Sequence, residues 1–114
     1  PARVPTGLLR FARNDGPVQP NPTPQPLDHL TAHGAPEALA LMAGGDTLTY
    51  ADLNEAVGRT ASRLLSLGLG PGDRVATWMG KTRLACVMPL AAARAGLVHV
   101  PINPVLRRAQ AEHI

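Results

Sequence analysis

Aromatic side chains are nearly absent, with one Phe, one Trp and one Tyr in 114 residues. A core must then be assembled from Leu, Val and Ala, which bury less area per residue. Cys86 is the only cysteine, so no disulfide can form within the chain, and a reducing, cytoplasmic setting is expected. Its place in an apolar helical pattern predicts a buried, inert thiol. No run of 18 apolar residues occurs, so the sequence offers no transmembrane helix and a soluble chain is expected. Lysine is also scarce: Lys81 stands beside ten arginines and eight acids, for a net charge of +3. Those arginines are scattered and have no aromatic stacking platform, which argues against a nucleic-acid partner. Arginine in place of lysine, with abundant Ala, Gly and Pro, fits a G+C-rich, bacterial genome. Ser62 and Ser66 are the only serines and lie in a helical stretch with no Gly-x-Ser-x-Gly elbow, so a serine nucleophile lacks its scaffold. The length allows one globular unit and no more.

What is present is unevenly distributed. Eight of the twelve prolines fall in the first 36 residues, and Pro20, Pro22, Pro24 and Pro26 alternate, a spacing that favours extended polyproline backbone. Residues 1–26 therefore read as an arm or linker. Pro17-Val18-Gln19-Pro20 satisfies PxxP, but without a basic anchor in register the segment reads as a spacer. The opening residues carry Arg3, Arg10 and Arg13 among apolar side chains, as a transit peptide would, yet Pro5 and Gly7 break the helix and serine is missing.

From residue 27 onward the pattern is orderly. Leu27 to His33 predicts a short helix ended by Gly34 and Pro36, and Ala38–Met42 and Thr47–Thr49 predict a small hairpin about Gly44-Gly45-Asp46. Thr49 followed by Asp52 is a helix-start signal. The helix that follows runs from Tyr50 to about Leu67, with one apolar stripe through Tyr50, Leu53, Val57, Ala61 and Leu64, interrupted by Gly58 and ended by Gly68. A strand from Asp73 through Met79, a helix over about Thr82–Ala95 closed by Gly96, and a strand over Val98–Pro101 complete a strand, helix, strand unit. Pro101 and Pro104 are expected to stop that last strand. A helical crossover implies a parallel pair and an α/β fold. Leu106–Ile114 begins another amphipathic helix.

The chemistry-bearing residues fall short of complete motifs. Gly80-Lys81-Thr82 matches the end of a phosphate-binding loop, but the first glycine of that loop would fall on Val75, inside a strand; a tight turn with a solvated Lys81 is expected. Gly68-Leu69-Gly70-Pro71-Gly72 follows a helix and precedes a strand, the reverse of a dinucleotide turn. His29 and His33 are four apart, but Leu30 stands where a zinc protease has its Glu and no third ligand is in view. His99 reads as a partly buried structural residue.

Three ordered segments carry a resemblance. Leu48-Thr49-Tyr50-Ala51-Asp52-Leu53 resembles the first core motif of the adenylate-forming superfamily, the acyl-CoA synthetases and their relatives. Gly70-Pro71-Gly72-Asp73-Arg74-Val75 is similar to the helix-to-strand turn of those enzymes, and Gly96–Pro104 resembles their second core motif. The likeness covers about residues 37–114. It implies the N-terminal part of a large α/β domain, residues 27–114 being a partial subdomain with parallel strands and helical crossovers behind the Pro-rich arm.

It further implies an AMP-forming ligase that activates a carboxylic acid with ATP and Mg²⁺ and passes the acyl group to coenzyme A. Asn103-Pro104 leans toward the acyl-CoA ligase form over the Asp-Pro common in peptide-synthetase adenylation domains. The superfamily's Ser/Thr/Gly-rich phosphate loop follows the second motif, beyond Ile114. No catalytic, cofactor-binding or metal-binding residue is therefore expected in this chain, which should be inactive alone and should self-associate through its open sheet edge. The alternative is a non-enzymatic interaction module that uses the Pro-rich arm and the sheet edge.

Overall fold

Two adjacent glycines with positive φ, Gly44 at 58° and Gly45 at 87°, make a two-residue turn whose twist matches that of a hairpin. It joins β1 (Leu39–Ala43) to β2 (Asp46–Thr49) as an antiparallel pair. This is a computed structural model that describes residues 23–114; the PxxP segment, the transit-peptide reading and most of the Pro-rich arm lie outside the described residues.

Two turns of 3-10 helix (Leu27–Ala32) precede the hairpin, and α1 (Tyr50–Ser66) follows it directly. The start of α1 is closed by the expected capping box. The Asp52 N–H donates to Thr49 Oγ1 at 3.1 Å, and the Thr49 N–H donates to Asp52 Oδ2 at 3.1 Å. The hairpin also contributes, because the Tyr50 and Ala51 N–H groups donate to the carbonyls of Ala38 and Pro36 at 3.0 and 2.9 Å. Four donors that a free helix would leave to water are thus partnered. Gly34 lets the preceding loop lie against Tyr50, since a Cβ there would stand inside the aromatic ring.

Leu53, Val57, Ala61 and Leu64 of α1 are buried, as the period of 3.6 predicts, with Tyr50 at the half-buried end of the stripe. They pack against Val87, Met88, Leu90, Ala91 and Ala92 of α2 (Arg83–Arg94). Val57, Ala91 and Ala92 are fully buried, and the small side chains allow the two helices to approach closely. Gly58 faces Arg94, with room for a methyl group. Pro89 sits inside α2, where the loss of an N–H costs about 3 kcal/mol in a free helix; the buried face on either side of it offsets that cost.

The helix α2 connects β3 (Arg74–Trp78) to β4 (Val98–Ile102), which pair in parallel from Arg74↔Val98 to Trp78↔Ile102. This confirms the α/β class and the helical crossover. One expectation fails: β4 does not stop at Pro101 but continues through it to Ile102. The Val98 N–H points toward β3, donating to Asp73 O at 2.8 Å. Backbone direction alternates along a strand, so the nitrogen of Pro101, three residues later, faces the open edge, where no ladder bond needs it. Val75 and Thr77 turn toward the core, whereas Arg74, Ala76, Trp78 and Val98 line an exposed face. Last comes α3 (Arg108–His113), with no buried residue, so its expected amphipathic face lies uncovered. No helix among the described residues is long and apolar enough to cross a membrane.

Candidate functional site

The turn before α2 is a helix cap. Thr82 Oγ1 accepts the Ala85 N–H at 3.2 Å, which commits the hydroxyl to the helix, and Lys81 extends into solvent beside it. His29 and His33 lie exposed on and after the 3-10 helix, with His29 Nδ1 3.1 Å from Gln25 Oε1. Among the described residues no three His, Cys, Asp or Glu side chains come together as a metal site.

His99 is half-buried between the strands, its Nε2 2.8 Å from Thr77 Oγ1, and burial pushes its pKa below the ordinary value. Its partial burial is as expected. Cys86 departs from expectation, because its thiol is exposed. The buried stripe of α2 runs through Val87, Met88, Ala91 and Ala92, and Cys86 falls outside it; an apolar sequence run does not by itself say which third of a helix is covered. Ser66 Oγ donates to the Arg63 carbonyl at 2.6 Å and so only trims the end of α1.

A polar junction that the sequence did not announce centres on Arg94. Its Nε donates to Asp28 Oδ2 at 3.2 Å, one terminal nitrogen to the Asn54 carbonyl at 3.2 Å, and the other to Asn54 Oδ1 at 2.9 Å and Thr31 Oγ1 at 3.1 Å. Thr31, itself buried, lies 3.0 Å from the Asp28 carbonyl and 3.1 Å from Asn54 Oδ1. One planar guanidinium thereby clamps the 3-10 helix onto both α1 and α2. Arginine in the last turn of a helix is also the sign that suits the dipole, which was the only local signal available.

On another flank of the same helix pair is a cleft of about 430 Å³, lined by Ala56, Arg59, Thr60 and Arg63 of α1 and by Arg83, Leu84 and Val87 of α2. Arg59 reaches Glu55 at 3.7 Å with both side chains well exposed, a weak pair. Arg83 acts at longer range on Asp52. The carboxyl of Asp52 is held below the ordinary range first by the Thr49 N–H, then by the Thr49 hydroxyl, and least by Arg83. The arginines at 59 and 63 are four apart and so share a face, but nothing in sequence pairs that face with the first turn of α2.

After β4, Asn103 Oδ1 accepts the Val105 N–H at 3.0 Å, and the Asn103 carbonyl accepts the Leu106 N–H at 3.1 Å. This is an Asx turn, and an aspartate would accept the same bond.

Comparison with known proteins finds adenylate-forming enzymes alike in sequence and in fold. The family model described as AMP-binding enzyme matches residues 29–114. The human mitochondrial medium-chain acyl-CoA ligase is 38% identical over 86 residues, which are 74% of this chain and 14% of that enzyme. Nonribosomal peptide synthetase 9 of Gibberella zeae is 43% identical over 70 residues, 61% of this chain and 8% of the synthetase. Among solved structures, apo MatB from Rhodopseudomonas palustris superposes with a TM-score of 0.70 at 34% identity, covering 76% of this chain and 18% of MatB. The chain thus spans about a seventh of the length of the human ligase it matches.

Proposed function

Because the chain belongs to the AMP-binding enzyme family, we propose that it is the N-terminal part of an ATP-dependent, AMP-forming acyl-CoA ligase. In this reading residues 27–114 form scaffold for the large domain, and the Pro-rich residues 1–26 lead into it. The observation that carries the proposal is the match over residues 29–114. The parallel β3–β4 unit supports it, with one face covered by α2 and the other bare, as in a sheet that further elements would cover. ATP, Mg²⁺ and coenzyme A belong to the whole enzyme, and no residue described above is assigned to hold them. Activating a carboxylic acid needs cations against the phosphates and a pocket for the acyl chain. The helix caps, the Arg94 clamp and the Thr77–His99 bond all act within the fold.

Carboxylic acids are the substrate class in this reading, and coenzyme A is the acceptor because the human relative is an acyl-CoA ligase. A cytoplasmic setting belongs to the same proposal, and cell fractionation tests it against the mitochondrial location of that relative. The bare sheet face and the open β4 edge support self-association of the chain on its own, which a clean monomer by light scattering would refute.

The deciding experiment measures acid-dependent pyrophosphate release with Mg·ATP, a medium-chain acid and coenzyme A. The 114-residue chain should give none, and a protein extended by the coding sequence downstream of Ile114 should give turnover and an acyl-CoA product. Turnover by the 114-residue chain would overturn the scaffold role. Pyrophosphate release by the extended protein without thioester formation would overturn coenzyme A as acceptor and leave acid activation standing.

A further inference from the structure

Two arginines are held within the fold: Arg94 donates to Asp28, Thr31 and Asn54, and Arg108 holds Glu112 at 2.7 Å. The three in the α1–α2 cleft are not. Among the described residues Arg63 and Arg83 form no ion pair, and Arg59 has only the loose contact with Glu55. Arg83 also opens α2, whose first turn holds no acid, so this cation stands at the end of a helix where the dipole opposes it. Three like charges offset only by that loose contact and by the longer-range pull of Asp52 on Arg83 cost free energy that a bound anion would recover.

We propose that the cleft between α1 and α2 is a binding site for a phosphate group, presented either by a soluble organic phosphate or by a lipid headgroup. Guanidinium forks match phosphate oxygens two at a time. Three forks and the Thr60 hydroxyl offer more donors than the two oxygens of a carboxylate accept, whereas a terminal phosphate presents three strong acceptors. The volume of about 430 Å³ lies within the range of small-molecule sites. The lining includes Leu84, 47% exposed, whose apolar surface the non-phosphate part of an amphiphilic ligand would rest against. This site does not rest on the ligase reading, and its test needs no turnover.

The test follows the arginine Nε resonances of the ¹⁵N-labelled 114-residue chain in phosphate-free buffer, titrated with inorganic tripolyphosphate, alongside co-sedimentation with phosphatidylglycerol vesicles. Saturable shifts at Arg59, Arg63 and Arg83 are expected. The triple variant R59Q/R63Q/R83Q should weaken binding by about tenfold or more, and R107Q/R108Q should leave it within about twofold. The triple lysine variant, which keeps charge and loses the forks, guards against misfolding and should bind more weakly than the parent. Saturation by tripolyphosphate supports a soluble phosphate; vesicle binding alone, lost in the triple variant, supports the headgroup. Shifts that spread linearly over all arginines, equal weakening by R107Q/R108Q, or binding to neither probe would overturn the site.

Discussion

The helical layer and the parallel sheet are built from equally apolar sequence, yet only one of them uses it. In the helical layer Val57, Ala91 and Ala92 are fully buried and the polar junction at Arg94 makes four hydrogen bonds. In the sheet Trp78 and Val98 stay nearly half exposed, at 46% and 47%, on a face that nothing described here covers. The difference teaches that stability within residues 23–114 is concentrated where α1, α2 and the 3-10 helix meet, and that the outer sheet face contributes little to it.

The sharpest way to break that contrast is Leu53→Ala, which removes a buried side chain from the helix interface and should cost about 3 kcal/mol in urea denaturation. A cost near zero would mean that α1 does not hold the core. Next, Arg94→Ala leaves Asp28 without its partner and releases the 3-10 helix, with an expected loss of about 2 kcal/mol. Arg94→Lys should recover only part of it, because an ammonium cannot reach three elements at once.

A smaller effect is expected from pH at the seam between layers. Burial lowers the pKa of His99 below 6.5 in the fold, so the unfolded chain binds more protons just below that value. Stability should be full above pH 6.5 and decline as the pH falls through the window beneath it, whereas Asp52 acts only below 3.8. Melting curves of His99→Gln, which keeps a partner for Thr77, should be flat across the histidine window; an unchanged slope would exclude His99 as its source. The smallest effect belongs to the bare face, where Val98→Thr should shift stability by no more than about 0.5 kcal/mol. A loss approaching that of Leu53→Ala would show that something covers the sheet in solution.

Particular residues show how far the sequence could be read. The buried stripe Leu53, Val57, Ala61, Leu64, the Thr49–Asp52 cap, the Gly44-Gly45 turn and the parallel β3–β4 pair were all legible. Each depends on contacts between near neighbours or on a repeat along one element. Cys86 and Pro101 were misread for the complementary reason. Exposure of the thiol depends on which side of α2 meets α1, and tolerance of the proline depends on which edge of β4 is left open. The Arg94 junction joins residues 28, 31, 54 and 94, and the arginine cleft joins 59 and 63 to 83; neither spacing repeats along the chain.

By itself, then, the sequence determined the element types, their order, the buried stripe of α1 and, through its motif likeness, the family. These rest on short-range sterics, hydrogen bonds and periodicity, which the chain carries locally. Only the tertiary structure decided where α1 and α2 touch, which arginine is clamped at a junction and which are gathered in a cleft, and which face of the sheet stays bare. Those outcomes depend on the relative placement of whole elements, and the packing that sets it sums many weak contacts between residues far apart in sequence.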